Sequence, residues 1–384
     1  MEYEEAYRIG FDNVIITADW HYNAHLPYDG VNRLESAIVG ITEHAKNSGC
    51  DIIVAGDLFD KNSMDAETAT RFANLMTEFL HEHVRIYVLL GNHEMFSAYH
   101  NILEQYKVLG SDYIKVVTKP QIIHYKPKNT AFYFFPYGTE RLVFKDEFVK
   151  LKAKMDNEKE CSHSVAIMHA SISGLKHNNK EIFSDGLSED DLHYVSSLFG
   201  ATFIGHCHYW YNSVKGHRNI IVPGNICQRN FSDINESKRF ITLDTTGDTL
   251  RWENHKLKTT NKFKELTFTY EDEISLNANI VRLRQLLDRF KNNYILRLLA
   301  DNVSINDKPA FVKTIREASG DIKYSFKHKS VKKQPKRAKP KKVSDIIGQI
   351  VDNEDRGSLK RNRLLAVGND IAKEAMKEFN ENTL

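Results

Sequence analysis

The chain has 384 residues, 41% of them hydrophobic, and four widely scattered cysteines (Cys50, Cys161, Cys207, Cys227). That length and apolar content suit a substantial core plus at least one smaller unit, while the cysteine spacing excludes a disulfide framework and a CxxC zinc site. The formal charge of +2 conceals an asymmetry: Lys327 to Lys342 holds nine Lys or Arg and no acid, leaving 44 basic against 51 acidic residues elsewhere, so any basic binding surface is local.

From the N-terminus, short runs rich in Val and Ile alternate with longer stretches of helical periodicity, the pattern of βαβ units. Asn13 to Asp19, Asp51 to Asp57 and Arg85 to Gly91 read as strands. Between them, Leu34, Ile38 and Ile41 mark a helix over Val31 to Asn47, and Phe72, Leu75 and Phe79 one over Ala66 to His83. Further strands are predicted at Ala131 to Phe135, Ser164 to His169, Ala201 to Gly205 and Asn219 to Val222, and a hairpin at Arg239 to Leu243 and Thr249 to Glu253. A second unit runs from about Phe263 to Phe326 with strands at Glu265 to Tyr270, Tyr294 to Leu299 and Ile322 to Phe326, and helices at Ala278 to Asn292 and Lys308 to Ala318. The basic stretch with Pro335 and Pro340 reads as a flexible linker, either a solvated tether or a tracker of phosphate backbones. Ser344 to Val351 and Leu359 to Phe379 follow as amphipathic helices whose apolar stripe favours docking on a partner over packing back on the body. No apolar run is long enough to span a bilayer, and the acidic start Met-Glu-Tyr-Glu-Glu is unlike a secretory leader, so the expectation is a cytoplasmic protein with no membrane contact.

Five short motifs fall where strands should end: Asp19-Trp20-His21, Gly56-Asp57-Leu58-Phe59-Asp60, Gly91-Asn92-His93-Glu94, Met168-His169-Ala170 and Gly205-His206-Cys207-His208. In an open α/β sheet the carboxyl ends of the strands converge on one crevice. Asp19, His21, Asp57, Asn92, His169, His206 and His208 then supply oxygen and nitrogen donors without a thiolate, a set suited to manganese, iron or zinc. Two metals roughly 3.5–4 Å apart can activate water and neutralise both the attacking and the leaving oxygen of a phosphodiester. Asp57, ending an apolar strand and followed by Leu58-Phe59, is the candidate bridge. Asp60 either steadies this cluster or caps a helix, Trp20 and Tyr209-Trp210 either stack on a base or pack, and His25, His177 and Arg229, on loops near the site, either touch phosphate or, as the favoured reading, are exposed and solvated.

Taken in order, these motifs resemble the calcineurin-like metallophosphoesterases, over about residues 13 to 225. Gly-Asp-Leu-Phe-Asp, Gly-Asn-His-Glu and Gly-His-Cys-His, with the second module, basic linker and helical tail, most resemble the SbcD-type DNA nuclease subunits that work with SMC-like ATPases. The resemblance implies a four-layer α/β/β/α sandwich with a small α+β capping domain and a C-terminal helical tail, divided as 1–258, 259–326, 327–343 and 344–384. It implies two divalent ions, manganese by preference: one held by Asp19, His21, Asp57 and His208, the other by Asp57, Asn92, His169 and His206. His93 becomes the catalytic residue, with Glu94 placed to orient it, although the family more often has Asp at Glu94. It further implies cutting of duplex ends and single strands of DNA, an SbcC-type ATPase bound through 344–384, and a homodimer within a heterotetramer. Two rivals use the same motifs: a phosphatase or phosphodiesterase of small substrates, and a catalytically silent scaffold that binds DNA ends.

Overall fold

The computed structural model describes residues 2–5, 13–81, 83–97, 100–104, 113–125, 130–138, 162–234, 236–258, 262–292, 294–318 and 322–327. The basic segment beyond Lys327 and the two predicted tail helices lie outside the described residues.

Two six-stranded sheets form the centre. The first is ordered β16 (Arg251–Lys256), β15 (Arg239–Asp244), β2 (Asn13–Thr17), β3 (Asp51–Val54), β4 (Ile86–Leu89) and β7 (Ile114–Val117). Strands β2, β3, β4 and β7 are parallel, and the β15–β16 hairpin is added antiparallel beside β2. The second is ordered β1 (Glu2–Glu5), β8 (Gln121–Tyr125), β9 (Thr130–Phe135), β10 (His163–His169), β13 (Ala201–Gly205) and β14 (Ile220–Ile221). Strands β9 to β14 of this sheet run parallel, while β8 lies antiparallel to β9. Two ribbons, β5 (Met95–Ser97) with β6 (His100–Asn101) and β11 (Lys176–His177) with β12 (Lys180–Glu181), rise from the loops.

Side-chain alternation along the strands builds the layers. Val14, Ile16, Ile53, Tyr87 and Leu89 of one sheet meet Phe132, Phe134, Val165, Ile167 and Phe203 of the other. The opposite parity, Ile15, Ile52, Val54, Ile86 and Val88, packs under α1 (Gly30–Ser48) and α2 (Ala66–His81), which supply Leu34, Ile38, Ile41, Phe72, Met76 and Phe79. Tyr133, Phe135, Ala166, Met168 and Ile204 pack under α3 (Glu189–Leu198) through Leu192 and Val195. The central parallel strands are therefore covered on both faces, which is why they read as unbroken apolar runs, and the chain has the α/β/β/α sandwich.

The smaller unit alternates β17 (Lys262–Thr269), α4 (Leu276–Phe290), β18 (Tyr294–Asp301), α5 (Lys308–Glu317) and β19 (Ile322–Lys327), with its three strands parallel. Leu266, Phe268, Leu283, Leu287, Leu296, Leu298, Phe311 and Ile315 form its own core. Among the described residues no helix is long and apolar enough to cross a membrane.

One charge sits badly in this arrangement. Asp51, at the start of β3, is 1% exposed; Oδ1 accepts the Arg85 backbone N–H at 3.3 Å, but Oδ2 has no partner. Burial pushes its carboxyl up to about 6, with Arg85 only partly opposing. Because the folded chain holds this proton more tightly than the unfolded chain, stability is lost as pH rises through that value. Asp51→Asn should stabilise the protein at pH 8 by on the order of 2 kcal/mol and have little effect near pH 4, as read from paired melting curves at the two pH values.

Candidate metal centre

The carboxyl ends of β2, β3 and β4 in one sheet and β10 and β13 in the other open on the same edge, and the five motifs leave the strands there. Main-chain bonds lock the loops together beyond the regular strands: Asp19 N–H to Gly56 O at 3.0 Å, His21 N–H to Asp57 O at 2.9 Å and Tyr22 N–H to Leu58 O at 2.7 Å. Asp19, His21, Asp57 and His206 all adopt positive φ (53°, 49°, 52° and 88°). Non-glycine residues seldom occupy this region, and such strain is held only where the surroundings enforce it. Gly56, at φ 89°, lies so close to the His169 ring that a Cβ there would stand 2.0 Å from Nδ1, and one on Gly205 would stand 1.9 Å from the Ala55 carbonyl oxygen.

All seven predicted ligand residues are brought together. Asp57 is central: Oδ2 lies 3.4 Å from His169 Nε2, 3.6 Å from His21 Nε2 and 4.0 Å from His93 Nε2, and Oδ1 accepts the His93 backbone N–H at 3.0 Å. Asn92 Oδ1 is 3.0 Å from His169 Nε2, and the His21 and His208 Nε2 atoms are 2.8 Å apart. Asp19 accepts the His206 backbone N–H at 2.9 and 3.1 Å, while Phe183 stacks on the His206 ring with centroids 4.9 Å apart. Two clusters among these, Asp19–His21–His208 and Asp57–His169–His206, bring their ligand atoms within the span of one ion, and His21–Asp60–His93 forms a third.

The chemistry of this donor set fits divalent cations. His169 Nδ1 donates to the Ala55 carbonyl at 2.8 Å, so in the neutral ring Nε2 keeps a lone pair that faces two oxygens, Asn92 Oδ1 and Asp57 Oδ2. With no proton on Nε2, such a set of buried acceptors turned on one another is satisfied by a cation between them. Burial pushes His206 and His208 down to about 4 and takes His21 well below the usual imidazole range, leaving neutral rings able to ligate. Burial opposes ionisation of Asp57, yet attraction to His169, a hydrogen bond from it, and the neighbouring His21 and His93 hold its carboxyl far below the usual carboxylate range. For His169 burial is likewise outweighed, chiefly by Asp57, and the ring is raised to about 10. Asp19 moves the other way: burial lifts it to about 7 against the pull of His169. Cys207, inside the Gly-His-Cys-His motif, turns into the core, and burial raises its thiol to about 12, so it remains protonated.

Several neighbours differ from expectation. Glu94 does not touch the His93 ring: its fully buried carboxylate accepts the Phe59 N–H at 2.9 Å and the Gly91 N–H at 2.8 Å, tying two ligand loops together. The His93 ring is oriented instead by Nδ1 donating to the Asp60 carbonyl at 2.7 Å. Asp60 caps no helix; its carboxylate binds the Arg229 guanidinium and, at 3.2 Å, Asn23 Nδ2, while Asp65 caps α2. Arg229 and His177 are partly buried and paired, Arg229 with Asp60, and His177 lying flat on Tyr209 at 3.6 Å and paired with Glu236 at 3.2 Å. His25 is exposed, as expected. Trp20 is buried beside Phe79 and donates to Thr17, and Trp210 packs against the inter-sheet core. Sequence reading missed Lys238, a buried lysine donating to the His208 carbonyl at 3.3 Å.

A sandwich whose strand ends gather Asp, Asn and His into adjoining cation clusters defines a metallophosphoesterase. The family model of the calcineurin-like phosphoesterases matches residues 13–297, and the chain belongs to that family. It is 25% identical over 352 residues to the D component of the nuclease SbcCD of Staphylococcus epidermidis (strain ATCC 12228 / FDA PCI 1200), covering 84% of this chain and 89% of that protein. Among solved structures it matches wild-type Vps29 complexed with zinc from Entamoeba histolytica at 12% identity over 64% of this chain and 98% of that one, with a TM-score of 0.28. Vacuolar protein sorting 29 of Cryptosporidium parvum matches at 12% identity over 64% and 97%, also with a TM-score of 0.28.

Gly56→Ala and Gly205→Ala should each weaken divalent-cation binding by about ten-fold or more, since His169 or the Ala55 carbonyl that orients it must move. Titration calorimetry against the metal-free wild type measures it.

Proposed function

We propose that this protein is a two-metal DNA nuclease that works with an SMC-like ATPase in recombination, repair or end processing. The observation that carries the reading is the meeting of six oxygen- and nitrogen-donor residues with a seventh, the buried Asp57, and the half-exposed His93 at their edge. The relative named as part of a nuclease supports it further, because the similarity runs across 84% of the chain and so beyond the metal centre.

In this reading Asp19, His21, Asp57 and His208 hold one ion and Asp57, Asn92, His169 and His206 the other. A pair of divalent ions, manganese by preference, supplies Lewis-acid stabilisation of the phosphodiester oxygens and an activated water. The chain's own part is orientation and proton handling. His169 is fixed by the Ala55 carbonyl and Asp57 by the His93 N–H, so the ligands are set before substrate arrives. With Nδ1 committed to the Asp60 carbonyl, the remaining nitrogen of His93, Nε2, is the one placed to give a proton to the leaving oxygen. The tail 344–384 serves as the ATPase docking segment, the protein pairs as a homodimer within a heterotetramer, and the setting is the cytoplasm.

The purified chain with manganese should cut end-labelled duplex and single-stranded DNA. His93→Ala should lose about 100-fold or more in rate yet keep its metal, whereas Asp57→Ala should lose both, as read by gel assay beside metal analysis. Hydrolysis of p-nitrophenyl phosphate with no cutting of DNA would turn the assignment to a small-substrate phosphatase. Removal of 344–384 should abolish capture of the ATPase and leave cutting of short single strands intact; capture that survives the deletion, measured by co-purification, refutes that role for the tail.

A further inference from the structure

The smaller module is tied to His93 by a continuous run of bonds through the loop that follows β14. The backbone N–H of Phe263, on the module's first strand, donates to Gln228 Oε1 at 3.2 Å. Gln228 in turn spends both protons of its amide on its own loop, donating to Asp233 O at 2.9 Å and Glu236 O at 3.0 Å, and its carbonyl accepts from Arg33 Nη1 at 3.2 Å. Gln228 is 4% exposed, so it fixes the loop from inside rather than across solvent. Around it Tyr28, Phe231, Phe263 and Ile295 form a small apolar seam between module and sandwich, and the module's Arg297 lies over the Phe231 ring at 4.3 Å.

The next residue is Arg229. Its backbone N–H is held by Asp233 Oδ2 at 2.8 Å, and its guanidinium binds the Asp60 carboxylate. Asp60 is the residue whose carbonyl accepts from His93 Nδ1. Asp60 ends the Gly56–Asp60 motif with its backbone N–H on the Tyr22 carbonyl at 3.2 Å, and Arg229 supplies the cation paired with its carboxylate.

We infer that Arg229 is a positioning residue for His93, acting through Asp60, and that the smaller module, by clamping Gln228, braces that contact from outside the catalytic site. The role of His93 in turnover rests on the nuclease reading above; its geometry does not.

The test uses the full chain with selectively 15N-labelled histidine, the His93 signals being assigned with His93→Gln. Arg229→Ala and Gln228→Ala should shift the His93 Nδ1 signal in the same direction, and Arg229→Lys should restore most of it. On a p-nitrophenyl ester of thymidine monophosphate, both alanine variants should lower kcat by about 10- to 100-fold while KM and manganese content stay within about two-fold of wild type. Their double variant should be no worse than the poorer single one, since both act through one chain of contacts. A His93 signal unchanged in either alanine variant overturns the inference. If the wild type hydrolyses no phosphodiester, the nuclease reading fails and the histidine signals still decide this one.

Discussion

Everything in this protein is arranged around an ionised carboxylate in a place that disfavours charge. Asp57 is 1% exposed, at the junction of two sheets, and it stays ionised because His169, His21 and His93 surround it. Without cations that compensation comes chiefly from the proton on His169; with cations the same nitrogen can turn its lone pair inward. The strained backbone at Asp19, His21, Asp57 and His206 follows from the same demand, since each loop must turn a polar side chain back towards one point directly after leaving an apolar strand.

The support for this charge is spread through the main chain. Glu94 accepts from two ligand loops, His169 is held by the Ala55 carbonyl, and His206 donates its backbone N–H to Asp19. Buried contacts of this kind fix rings and carboxylates more tightly than solvent-exposed ion pairs do.

Much of this was legible in the sequence, for a definable reason. Strands buried on both faces give unbroken apolar runs, so β2, β3, β4, β10 and β13 announce themselves, and the candidate ligands stand at their ends, where sequence position and spatial position coincide. Two of the edge strands carry no such signal: β1, spelled Glu-Tyr-Glu-Glu, and β7, half-buried, give no strand pattern of their own. Partners that act through backbone atoms were invisible as well. No pattern of residue types reports that His93 leans on the Asp60 carbonyl rather than on Glu94, or that Arg229 reaches Asp60 across 169 positions of chain.

That distance in sequence has a consequence of its own. His21 meets His208 across 187 positions, and His169 meets the Ala55 carbonyl across 114. Contacts so remote form late, after the long loops between them have closed. A nascent or clipped chain holding only one sheet therefore carries fewer than the seven donors, and a partial centre is a poor trap for metal. Assembly of the centre is withheld until folding is complete, so the architecture itself keeps an unfinished molecule from gathering its cations.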